Sequence, residues 1–166
     1  LVLAGGISDG AALWATRVLG CDLGMAGTPF IATAESMAVD PYKQMLLDCR
    51  LDDVMLTQAF TGLDTNTLRP SIVAAGLDPD SLGGPVTPER AREMFSEYSK
   101  EARGPKRWID IWAAGHTVSG VDAVRPVSAL VAKLEAEYAA AQRATTTLLQ
   151  DATARREAGK RVLGEA

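Results

Sequence analysis

The stretch that most constrains this chain is Leu1 to Thr28, LVLAGGISDGAALWATRVLGCDLGMAGT. Leu1 to Ala4 is continuously apolar, as in a parallel strand buried on both faces, and Gly5 and Gly6 follow at once. Ser8 or Asp9 can N-cap a helix, its side-chain oxygen accepting from the first free backbone N–H groups. That helix is expected from Gly10 to Leu19, with Gly20 where a left-handed C-cap belongs. Asp22 to Ala26 reads as a second, less apolar strand, and Gly27 and Thr28 as its terminal turn. A strand–helix–strand unit of this kind returns right-handed and parallel, which puts both glycine turns on the same sheet edge.

That arrangement has a chemical use. Glycines at the carboxyl ends of neighbouring parallel strands let backbone N–H groups approach an anion without interference from Cβ. The N-terminus of the intervening helix is expected to add partial positive charge, and Thr28 a hydroxyl donor. In an eight-stranded β/α barrel, the loops after the seventh and eighth strands are the usual phosphate grip. A single Gly-Gly pair serves a tight turn; two glycine turns one βα unit apart point to phosphate.

The rest of the composition narrows the function. With 166 residues the chain is one domain's worth, and its net charge of −4 offers no electrostatic footprint for nucleic acid. Arg17 and Asp22 interrupt the best apolar run, well short of the roughly 20 residues of a membrane helix. No secretory signal is visible, so a cytoplasmic protein is expected. Cys21 and Cys49 lack metal-ligand spacing and read as reduced core residues, with no metal site.

Downstream, Ala34 to Cys49 fits a helix interrupted by Pro41, with Tyr42, Met45, Leu46 and Cys49 on one face and Ala34 to Met37 as a short first turn. Tyr42 is a core anchor on this pattern, with a substrate or partner contact as the alternative. Asp53 to Phe60 reads as extended, ended by Thr61 and Gly62, and Asn66 to Ala75 as a short helix broken by Pro70. Leu77 to Pro88 is loop. Thr87 caps a helix from Pro88 to about Ala102 whose charges form a solvated face. An apolar segment from Trp108 to Ala114 leads into Gly115 and His116, the only histidine, with no triad partner by spacing. The last helix, Val127 to Arg156, presents Val127, Leu130, Val131, Leu134 and Tyr138 at helical spacing. Its periodicity weakens beyond Gln142, so residues 151–166 are expected to be a polar tail, frayed or disordered.

The ordered series AGGISDG, LGCDLGMAGTPFIATAES, PYKQ, VMLTQAFTGLDTNTLRP and WAAGHTVSGVDAVRPVSALVAKL resembles the C-terminal half of the nitronate monooxygenase family, formerly 2-nitropropane dioxygenase. The resemblance spans Leu1 to about Tyr138. Departures are Ala26 where the family has Met, Pro29 where it has Arg, and His116 where it has Gln. The resemblance implies an α/β fold, the last two strands of an FMN-dependent TIM barrel followed by a mostly helical region. Residues 1–33 would be the last βαβ unit, 34–124 a covering region over the active-site mouth, and 125–150 a C-terminal helix. It implies FMN held at its phosphate and ribityl end by Gly5, Gly6, Met25, Ala26, Gly27 and Thr28. It also implies small nitronate substrates and O2, a homo-oligomer being left open. The family's catalytic histidine lies in a glycine-rich segment upstream of AGGI, so no catalytic residue is expected here and turnover by this chain alone is not expected. The region around His116 resembles a loop that returns toward the flavin. Two alternatives are a flavin-dependent enoyl-acyl-carrier-protein reductase, which shares the phosphate grip, and a non-catalytic helical interaction module.

Overall fold

A computed structural model describes residues 1–84, 86, 87, 89 and 109–163. The fold mixes helices with two small sheets. The first strand, β1 (Val2–Ala4), is followed by α1 (Gly10–Val18) and β2 (Leu23–Met25). The strands pair in parallel, with Val2 opposite Leu23 and Ala4 opposite Met25. Of the two candidate caps, Asp9 takes the role: its carboxylate accepts from Ala12 N–H at 2.8 Å. Gly20 ends the helix in the left-handed region (φ +85°). Gly24 lets α1 lie directly on β2, since a Cβ there would sit 2.7 Å from Leu13 Cδ2 and 2.8 Å from Ile7 Cδ1.

The expectation that β1 is buried on both faces is not met. Leu1 is 79% exposed, Val2 52%, Leu23 63% and Met25 59%. The physical reason is the size of the sheet. Two strands leave two outer edges unpaired, and among the described residues only the face toward Ile7 and Leu13 is covered.

Beyond β2 the chain forms a short helix, α2 (Thr28–Ile31), and then α3 (Asp40–Asp48). Pro41 does not interrupt α3 but sits in its first turn, where its missing N–H leaves no intrahelical bond unmade. Ala34 to Met37 is turn rather than helix. The buried Lys43 holds it in place, its Nζ donating to Ser36 O at 3.0 Å and to Ala34 O at 3.5 Å.

Strands β3 (Val54–Thr57) and β4 (Thr65–Leu68) form an antiparallel hairpin that turns through Gly62 (φ +72°). Asn66 to Leu68 are therefore strand, not helix, and Pro70 opens α4 (Arg69–Ala74) rather than breaking it. The core collects Ala32, Leu46, Cys49, Leu68, Ala114, Val118 and Val121.

The last helix, α5 (Val127–Leu163), crosses α1 so closely at Gly10 that a Cβ there would lie 2.1 Å from Leu134 O. Leu130 and Leu134 are buried, as their spacing predicts, whereas Val131 is 48% exposed. The segment after Gln142 is helical through Leu163. There Thr145, Thr146, Thr147 and Thr153 each donate their hydroxyl to the carbonyl four residues back, so these polar groups are satisfied inside the helix. The helix expected from Pro88 to Ala102 lies outside the described residues apart from Glu89.

Candidate functional site

The parallel register decides where the glycines go. Because Ala4 pairs with Met25, the residues that follow each strand emerge side by side at one sheet edge. Gly5 and Gly6 adopt φ +82° and +73°, a backbone that side chains rarely adopt. Among the described residues, no heavy atom beyond the adjoining residues lies within 4 Å of where a Cβ would stand on Gly5, Gly6 or Gly27. The edge is thus exposed, uncrowded backbone, the kind of surface an anion can approach. Met25 is exposed and Ala26 half-buried beside it.

Thr28 is placed differently from a free surface donor. It is buried, and its Oγ1 accepts from Gly115 N–H at 2.9 Å. A hydroxyl that accepts one bond keeps its O–H to donate, so Thr28 can join a ligand to the backbone behind it.

One expectation is overturned by the geometry. The N-terminus of α1 is not free for a ligand anion. Gly10 N–H donates to Glu137 Oε2 at 3.0 Å and Ala12 N–H to Asp9 Oδ1 at 2.8 Å. The chain's own carboxylates already use the partial charge at this helix end. Partial burial raises the Glu137 carboxyl, but hydrogen bonds from Lys133 and Gly10, with the Lys133 charge, outweigh it and hold the group below the ordinary range. The sequence reading missed α2, whose N-cap is Gly27 and whose start carries no side-chain cap. A short extra helix after the last strand is a recurring part of barrel phosphate sites; the signal for it was Pro29 just after Thr28.

Three residues of the quoted motifs tie other segments of the chain together. Both Glu35 oxygens accept from Val127 N–H, at 3.0 and 2.9 Å, capping α5 from another segment. Tyr42 donates its hydroxyl to Ala113 O and stacks on Trp112, with ring centroids 5.0 Å apart. Burial pushes its phenol up to about 12 despite that hydrogen bond. Lys43 closes the turn before α3, as described above. Cys49 is buried, and burial together with Asp53 and Asp48 pushes its thiol up to about 11, which keeps it protonated and inert. Cys21 and Cys49 are both free thiols. His116 is exposed and opens a 3-10 turn, His116–Gly120, immediately after the Gly115 contact to Thr28. Among the described residues there is no metal-binding cluster, and no helix is long and apolar enough to cross a membrane.

The chain is similar to nitronate monooxygenases. It is 28% identical over 140 residues to the nitronate monooxygenase of Paraburkholderia phytofirmans, covering 82% of this chain and 37% of that protein. It is 25% identical over 113 residues to a probable nitronate monooxygenase of Staphylococcus haemolyticus, covering 68% and 32%. The chain thus spans about a third of the length of these curated relatives. Among solved structures, nitroalkane oxidase from Streptomyces ansochromogenes superposes with a TM-score of 0.63 at 28% identity, over 86% of this chain and 40% of the other. FabK from Thermotoga maritima shares the fold, with a TM-score of 0.61 at 24% identity, over 90% and 46%. No protein-family model matches the chain.

Proposed function

We propose that this chain is the C-terminal part of an FMN-dependent nitronate monooxygenase and contributes the grip on the FMN phosphate. The carrying observation is the register of β1 on β2, which brings Gly5 and Gly6 beside Gly27 and Thr28 at one open edge. The similarity to nitronate monooxygenases supports it. In this reading β1 and β2 are the last two strands of a TIM barrel. Their exposed apolar residues Leu1, Val2, Leu23 and Met25 would face the barrel's other strands. Residues 34–124 would cover the mouth of the active site. The protein would work in the cytoplasm on small alkyl nitronates and O2.

The residues present fit the cofactor. The left-handed Gly5 and Gly6 and the uncrowded Gly27 would offer backbone N–H groups to phosphate oxygens. Thr28 would add its spare O–H, held in position by Gly115. Met25 and Ala26 would lie along the ribityl chain. When bound, FMN would take the substrate's electrons and pass them to O2. The chain's role is to bind and orient; the base that removes the substrate proton would come from outside it.

Fluorescence titration with FMN tests the binding role: saturable binding that inorganic phosphate competes away is expected. Purified chain alone should not oxidise a nitronate such as that of 2-nitropropane; turnover would overturn the assignment of the base to another segment. Flavin reduction by NADPH in the protein completed by its upstream region would favour the enoyl-acyl-carrier-protein reductase alternative instead.

A further inference from the structure

We draw no further inference here: the strongest candidate, the apolar surface patch that Leu148 and Leu149 form on α5 past the Trp14–Thr145 contact with α1, carries none, because nothing among the described residues shows what covers it.

Discussion

Replacing Gly10 by Ala should destabilise the chain, against the usual direction for Gly to Ala in a helix. Helix propensity alone favours Ala by up to ~1 kcal/mol. Here the added methyl would lie 2.1 Å from Leu134 O, 2.3 Å from Tyr138 N and 2.7 Å from Glu137 Cβ. The first two are backbone atoms of α5, so no rotamer change relieves the overlap; α5 must retreat by about 1.3 Å to reach an ordinary contact of 3.4 Å. That shift stretches two hydrogen bonds across the α1–α5 contact, Gly10 N–H to Glu137 Oε2 (3.0 Å) and Trp14 Nε1–H to Thr145 Oγ1 (2.9 Å). It also opens the edge-on packing of Trp14 against Tyr138, whose ring centroids are 5.5 Å apart. Two weakened hydrogen bonds cost about 1 kcal/mol each, and overpacking costs ~1–3 kcal/mol. Net of propensity, the expected loss is about 2–4 kcal/mol, a large part of the ~5–15 kcal/mol that holds a typical domain. Urea unfolding followed by far-ultraviolet circular dichroism measures it, with an unchanged slope and a lower midpoint expected. A Gly10→Ala chain as stable as wild type would refute the tight α1–α5 crossing.

Gly6→Ala should cost less: with no described atom beyond the adjoining residues near the new Cβ, it carries only ~1–2 kcal/mol of left-handed backbone strain. It should nonetheless abolish FMN binding, and a titration that matches wild type would remove Gly6 from the site. Glu35→Ala removes the trans cap of α5 and should cost ~0.5–2 kcal/mol by urea midpoint; an unchanged midpoint would mean water replaces the cap. Stability should fall as pH rises from about 9 toward 12. Cys49 and Tyr42 ionise in the unfolded chain near 9.0 and 10.0, but in the folded chain only at about 11 and about 12, so the unfolded state loses its protons first. Unfolding midpoints taken across that range check this, and a flat profile would contradict the burial of both groups.

Much of this molecule was legible in local sequence. The apolar run, the glycine turns and the Asp9 cap are short-range signals, and α1, Gly20 and the parallel pairing follow from them. Proline misled the reading at Pro41 and Pro70, because the same residue that breaks a helix interior also starts one. Only the surrounding chain, Val39 before α3 and the β4 strand before α4, settles which. The burial of β1 was misjudged for a different reason: an apolar strand reports what it would bury, not what stands beside it.

Sequence by itself determined the elements that depend on neighbours in the chain: the βαβ unit, its two glycine loops and the helical face of Leu130 and Leu134. Tertiary structure alone decided what lies across from them. It used the N-terminus of α1 for Glu137, 127 residues away. It also joined Gly115 to Thr28 and packed Gly120 against Ser8, and it capped α5 with Glu35. Backbone N–H groups at loops and helix ends carry no side-chain identity, so the sequence shows that they exist but not which distant acceptor reaches them first.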